Sequence, residues 1–330
     1  MAFFAIVLAL LLEQVRPLGP RHPAAAGLRR WARTVASNLD AGGAHHAWLA
    51  WTLAVLVPAL ATLGVHLALY RLGGWPLALV WSVAMLYLTL GFRQFSHHFT
   101  GIRDALDAGD EDRARALLAE WQQVDAAALP RSEIVRHVIE YSVLAAHRHV
   151  FGVLCWYCAL AMLGLGPAGA VFYRNAEFAA RYWQRKAASS DLPSSPALCE
   201  AATQAWQVID WLPARATALG FAIVGSFEDA IDVWRQHAAR FADANDGVVL
   251  AATSGAIGVR LGGAALAPIS TMAVDTTAPA SPGVPSAADT GLPGETPRTP
   301  HFAQVVGLLW RMVALWLLLL VLLTLAHLLG

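Results

Sequence analysis

The run WYCALAMLGLGPAGAVFY, from Trp156 to Tyr173, constrains this chain most, because it is almost wholly apolar yet is broken in its second half by Gly164, Gly166, Pro167 and Gly169. A plain hydrophobic helix has no use for such a cluster. His147, Arg148 and His149 precede the run and Arg174 follows it, so the stretch is long enough to enter a bilayer while its glycines and proline allow the backbone to bend or pack closely. Composition agrees: 57% of the 330 residues are hydrophobic and 14% are charged, against about 25% charged in an ordinary soluble domain. The expected fold is all-α, a multi-pass integral membrane protein with a cytoplasmic helical part.

The formal net charge is zero, which supplies no basic field for nucleic acid, and no nucleic-acid partner is expected. Cys155 and Cys158 form a C-x-x-C inside the apolar stretch without a strand-to-helix context, so they read as packing residues. No cleavable signal peptide is expected, since Glu13 follows the apolar run from Met1 to Leu12 without a small-residue cleavage site.

Expected spans run from Ala47 to Tyr70, Trp75 to Phe92, Val150 to Tyr173 and Val305 to Leu329, with weaker ones from Leu212 to Val224 and Gly247 to Ile269. Arg215 and Arg260 lie in the weaker pair, where a guanidinium in hydrocarbon is costly without a partner. Arg16, Arg21, Arg29, Arg30 and Arg33 precede the first hairpin and Arg93 and Arg103 follow it, which places both flanks in the cytoplasm and Gly73-Gly74 at the periplasmic turn. Arg174, Arg181, Arg185 and Lys186 demand the cytoplasm as well. A hairpin bent at Gly166 and Pro167 satisfies that demand and a single crossing does not, though both readings stand at this stage.

The organisation read from these patterns comprises an N-terminal apolar segment with a basic cytoplasmic loop (1–46), a transmembrane hairpin (47–92), a cytoplasmic helical region (93–149), a membrane core (150–269), a flexible Pro/Ser/Thr-rich tether (270–300) and a last transmembrane helix (301–330). In the helical region, Ile102 to Ala128 reads as a helix-turn-helix about Gly109-Asp110, with Asp110 as N-cap and Glu111 and Asp112 suited to the helix dipole. A further helix starts near Ser132, after Pro130, and runs through Glu140 toward His147.

Two segments carry candidate chemistry. In the GAIGVRLGG run from Gly255 to Gly263, glycines would let backbone amides approach an anion while Arg260 supplies a bidentate donor; the competing account is small-residue helix packing. In WLPAR, Pro213 suits the first turn of a helix and leaves Arg215 one turn in, as an anion donor or a snorkelling anchor. Neither His97-His98 nor His147/His149 has the i, i+4 spacing of a compact zinc site, and no metal site is expected.

Taken in chain order, His22-Pro23, LDAGDEDRARALLAEW (Leu106 to Trp121), LGPAGAVFYR (Leu165 to Arg174), LPAR (Leu212 to Arg215) and GAIGVRLGG resemble the CobD/CbiB family of cobalamin biosynthesis membrane proteins. The resemblance covers nearly the whole chain up to about Leu266. It implies an all-helical inner-membrane protein whose catalytic members use ATP and a divalent cation to join an aminopropanol-type amine to a corrinoid carboxylate.

Position by position, the family's acidic residues are largely replaced. Glu140 stands at the first glutamate of an E-x-x-x-E-N pattern, but Leu144, Ala145 and Arg148 take the places of the second glutamate, the asparagine and a following aspartate. An N-T-L-D pattern reads Glu177-Phe178-Ala179-Ala180, an aspartate pair reads Trp206-Gln207, Asp210 replaces an asparagine, and Leu250 replaces a glutamate. Asp125 and Asn245 match. The segments around Asp210-Trp211, His147 to Tyr157 and Gly225 to Trp234 look closer to the AmpE-like branch, the β-lactamase signalling modulators. The resulting expectation is a non-catalytic protein of AmpE-type envelope or β-lactamase-induction signalling without a cofactor, its anionic small-molecule ligand held by Arg174, Arg215, Arg260, Gly262, Gly263 and His22. Its other expected partners are the lipid bilayer and a membrane or periplasmic signalling protein. The alternative is an ATP- and Mg-dependent amide-forming ligase, with Glu140, Asp125 and Asn245 as its catalytic residues.

Overall fold

The computed structural model describes residues 2–16, 23–91, 96–188, 194–263 and 292–329. Among these, helices account for all regular structure apart from isolated bridge positions at Val124 and at Val259 with Glu295. The chain divides into two compact units: residues 1–94, 146–213 and 316–330 form the first, and 95–145 with 214–315 form the second.

The first unit begins with α1 (Ala2–Val15), α2 (Pro23–Leu39) and α3 (Ala44–Thr89). The basic segment expected as a loop is therefore helical over α2, a correction with a simple cause. Its alanines favour helix, and Ala32 and Val35 are buried while the Trp31 indole donates to the Ala54 carbonyl at 3.3 Å. α3 is a helix folded back on itself. Gly74 has φ 68° and ψ −159°, a conformation that requires glycine, and Pro76 restarts the helix beyond it. The expected hairpin turn at Gly73-Gly74 is thus present, with the exposed Leu72 and Trp75 at its tip. The expected end of its second arm, Phe92, lies outside the described residues.

After a π-helical turn at His147–Phe151 come α7 (Gly152–Met162) and α8 (Ala168–Ala188). No single helix runs from Val150 to Tyr173: Gly164 (φ 77°) and Gly166 (φ 57°) reverse the chain, and the single-crossing alternative is overturned. The two arms pack closely, with Trp156 edge-on to Phe172 at 5.3 Å and a Cβ at Gly169 excluded by the Trp156 carbonyl. α8 also packs against α3, and α1 and α2 cover other faces of α3.

The second unit holds α4 (Ser96–Asp107), α5 (Glu111–Gln122), most of α6 (Arg131–Ala146), the end of α9 (Pro196–Val224), α10 (Phe227–His237), α11 (Ala244–Ile257) and most of α12 (His301–Leu329). The α4–α5 hairpin follows its sequence pattern closely. Gly109 turns at φ 78°, the Asp110 carboxylate accepts from the Arg113 N–H at 3.0 Å, and Ile102, Leu106 and Leu118 are fully buried.

Two expectations in this unit are corrected. Pro213 lies inside the 29-residue α9, so it does not open a helix before Arg215. The weaker span from Gly247 to Ile269 is not a membrane helix over its described part, because α11 stops at Ile257, where Gly258 caps it in the left-handed conformation. Its 14 residues rise about 21 Å, short of the ~30 Å hydrocarbon core. Residues 259–263 continue as a non-helical loop and meet the far end of the expected tether: Arg260 N–H donates to Glu295 O at 2.8 Å, Glu295 N–H to Gly258 O at 2.8 Å and Leu292 N–H to Leu261 O at 3.1 Å. Thus residues 292–295 are tied to the loop, while 264–291 lie outside the described residues.

Three helical stretches have the length and apolarity to cross a membrane, Ala44–Thr89, Arg131–Met162 and His301–Ala326. Leu60, Val80, Leu318 and Leu322 are exposed on them, an arrangement that is unfavourable in water and suited to lipid. The molecule is an all-α membrane protein.

Candidate functional site

In the second unit the retained acid Glu140 is engaged by the chain itself. α6 places Arg136 one turn before it, the spacing at which side chains on one helical face meet. The Arg136 guanidinium reaches both Glu140 oxygens at 3.0 and 3.1 Å and also bonds Glu133. From the glycine loop, the Gly262 N–H donates to Glu140 Oε1 at 2.7 Å. Gly262 makes that approach at φ 77°, and Gly263, at φ 146°, leaves room for the Arg136 guanidinium, on which a Cβ would press at 3.2 Å. The loop's amide therefore does meet an anion, and the anion is Glu140 of the same chain.

The other expected residues fall as follows. Arg215 donates from Nη1 to Asn245 Oδ1 at 3.2 Å, pairing an expected ligand-binding residue with an expected catalytic one. Asn245 is buried in the first turn of α11, behind the cap in which the Asp243 carboxylate accepts from the Asn245 and Asp246 N–H groups. The Asp125 carboxylate accepts from the Ala127 N–H at 3.0 Å in a local turn. Arg260 is exposed on a non-helical loop, which corrects its placement in a membrane span. His22 lies outside the described residues.

Arg174 belongs to the first unit. Its guanidinium bonds Glu177 Oε2 at 2.7 Å, and Arg181 reaches Glu177 Oε1 at 2.8 Å from the next turn of α8. Burial alone would raise the Glu177 pKa, but Arg174 and Arg181, with His149 and Arg148 behind them, hold it down to about 2. Glu177 is therefore an ionised, buried anion with an arginine on either side.

The same unit contains a polar cluster that spacing does not reveal. Asp210 on α9 is fully buried and accepts from the Tyr173 hydroxyl at 2.7 Å, while His147 Nε2 lies 3.1 Å from the same oxygen. The two partners come from α8 and from the π-helical turn. A signal did exist in the sequence, since an aspartate inside the apolar stretch around Trp211 requires partners. Arg136 was also legible, as the i−4 neighbour of Glu140.

The fold and these sites define an all-α membrane protein with buried, internally paired polar clusters. Comparison with known sequences places it further: the family model described as CobD/Cbib protein matches residues 2–271, and the chain belongs to that family. It is 31% identical over 266 residues to a protein named "Cobalamin biosynthesis protein CobD" of Chromobacterium violaceum, covering 78% of this chain and 80% of that relative. A protein of the same name from Stutzerimonas stutzeri is 28% identical over 324 residues, 96% of each chain. No solved structure matches.

Proposed function

We propose that this protein is a multi-pass inner-membrane member of the CobD/CbiB family that keeps the scaffold, does not form the amide bond, and serves an AmpE-type role in envelope or β-lactamase-induction signalling. The observation that carries the non-catalytic reading is what fills the positions where the family resemblance expects acids. Leu144 is 8% exposed, Ala180 4%, Trp206 5% and Leu250 5%. They are core residues: Trp206, for example, packs on Tyr173 with ring centroids 5.1 Å apart. Apolar side chains offer no hard oxygen to Mg²⁺. The retained acids fit a metal–nucleotide poorly, since Glu140 faces a guanidinium and the Gly262 amide while Asp125 caps its own turn. The signalling part of the reading rests on the AmpE-like segments around Asp210-Trp211 and His147 to Tyr157. Arg215 and Arg260, both in the second unit, remain the donors for an anionic ligand under this reading, whereas Arg174 in the first unit is held by Glu177.

The test is expression in a strain lacking its cobalamin-forming ligase, with membrane insertion checked in the same cells. The expected outcome is no rescue. Rescue of growth on the ligase-dependent substrate overturns the non-catalytic reading.

A second reading, an ATP-dependent amide-forming ligase of cobalamin assembly, is favoured by the names of both relatives and by the retention of Glu140, Asp125 and Asn245. Titration of the purified protein with ATP·Mg and with a corrinoid separates the two. Saturable binding of both, lost in Glu140→Gln, supports the ligase.

A further inference from the structure

In the first unit a cavity of about 760 Å³ opens between α1, α3, the α7–α8 turn and the last turns of α12. Among the described residues its wall contains no Asp, Glu, Lys or Arg. Leu67, Leu79, Leu320 and Leu323 line one part of it, and the polar side chains are few: His66, Tyr70, Ser82, Tyr157, Cys158 and Thr324. Three of these are already engaged. Ser82 Oγ donates to Ala78 O at 2.9 Å, Thr324 Oγ1 to Leu320 O at 2.7 Å, and Tyr157 hydrogen-bonds Ser82.

Of the buried ones His66 stands apart. It is 9% exposed, and its Nδ1 is sealed from solvent with no hydrogen-bond partner among the described residues. The α7–α8 turn comes close at this point, because Gly166 faces the imidazole and any Cβ there would collide with the ring. A neutral imidazole has one donor and one acceptor nitrogen, and with Nδ1 sealed it is the Nε2 edge of the ring that can meet a hydrogen-bonding group entering the cavity. The volume falls in the range of small-molecule sites, which pair apolar walls with a few placed polar groups.

We propose that this cavity binds a single-chain amphiphile with an uncharged hydrogen-bonding head, of the monoacylglycerol or long-chain-alcohol type. The head lies at His66, and the alkyl chain runs between the leucines of α3 and α12. A charged head is selected against, since the described wall residues supply no counter-ion where unpaired charge is expensive. The site is separate from Glu140, Arg215 and Glu177, so it stands or falls independently of the proposed function.

The test uses the full chain in phosphatidylcholine nanodiscs and a diazirine-tagged monoacylglycerol as probe. Photolabelling should concentrate on residues 157–166 and 320–324 and be competed by untagged monoacylglycerol. Ala161→Phe, which fills the cavity and keeps His66, should reduce labelling about tenfold. His66→Leu, which keeps the volume and removes the head contact, should reduce it several-fold, and a diazirine fatty acid carrying a carboxylate should label more weakly. Labelling spread evenly onto Leu60 and Val80, exposed on the apolar α3, or unchanged in Ala161→Phe or His66→Leu, overturns the proposal.

Discussion

The Trp81 indole N–H donates to the Thr62 carbonyl at 3.2 Å, although 19 residues of α3 separate them. In an uninterrupted helix those residues would lie about 28 Å apart, so α3 must double back at Gly74. Under the proposed inner-membrane placement, the arginine-rich segment before it stays in the cytoplasm and the tip of α3 is expected in the periplasm. On a background with the three native cysteines replaced, Leu72→Cys should react with an impermeant maleimide added to intact cells, and Arg29→Cys should react only after lysis. Labelling of Arg29→Cys from outside reverses the orientation.

A second prediction contrasts two glycines. Gly169 sits in α8 where a Cβ would strike the Trp156 carbonyl, a backbone atom that cannot swing aside. Gly307 sits in α12 with nothing within 4 Å of the same added atom. Gly169→Ala should therefore cost about 1–3 kcal/mol through overpacking, while Gly307→Ala should be neutral or gain about 0.5–1 kcal/mol from helix propensity. Thermal unfolding in detergent measures both. Equal effects would mean that the α7–α8 contact is looser than the geometry requires.

These helices also mark what the amino-acid pattern could reveal. The α4–α5 hairpin was legible because Gly109 and Asp110 combine a positive-φ turn with a cap whose partner lies three residues on. The turn at Gly74 and the reversal at Gly164 and Gly166 were legible for a related reason, since glycine marks places where backbone conformation is exceptional. α2 was hidden because arginines drew attention to membrane orientation, although the alanines between them favour helix. Pro213 misled, as a proline near the start of an apolar run resembles a helix beginning while neighbouring helices can also support it mid-helix. The His147–Asp210–Tyr173 cluster could not be read as a unit. Its members are 63 and 37 positions from Asp210, and only tertiary packing brings them together.

Acid should reveal Glu177. Its folded pKa is about 2 against an ordinary value of 4.5. A carboxylate with a lowered pKa contributes stability that is fully present above the unfolded value and is lost as pH falls toward the folded one. The thermal midpoint of the wild type should therefore drop as pH falls from about 5 toward 2. Glu177→Gln should start lower at neutral pH, because it leaves Arg174 and Arg181 without that anion, and should vary less across the acid range. If both proteins follow parallel curves, Glu177 is not the titrating group.

The Arg136–Glu140 pair predicts an asymmetry that a simple contact count would miss. Arg136 bonds two carboxylates, Glu133 and Glu140, whereas Glu140 receives Arg136 and the neutral Gly262 N–H. Glu140→Gln leaves the guanidinium neutralised by Glu133 and keeps an acceptor for Gly262, so it should cost about 1–2 kcal/mol. Arg136→Met removes the cation and leaves a buried carboxylate, 12% exposed, beside another acid. That change should cost about 3–5 kcal/mol. Combining Arg136→Met with Glu140→Met should recover much of the loss, because the stranded charge goes with its partner. Recovery should be incomplete, since the Gly262 N–H then lacks its acceptor. Denaturation of the three variants in detergent decides the matter. Equal costs for the two single substitutions would mean that Glu133 does not share the neutralisation of Arg136, and that the glycine loop is held by something other than Glu140.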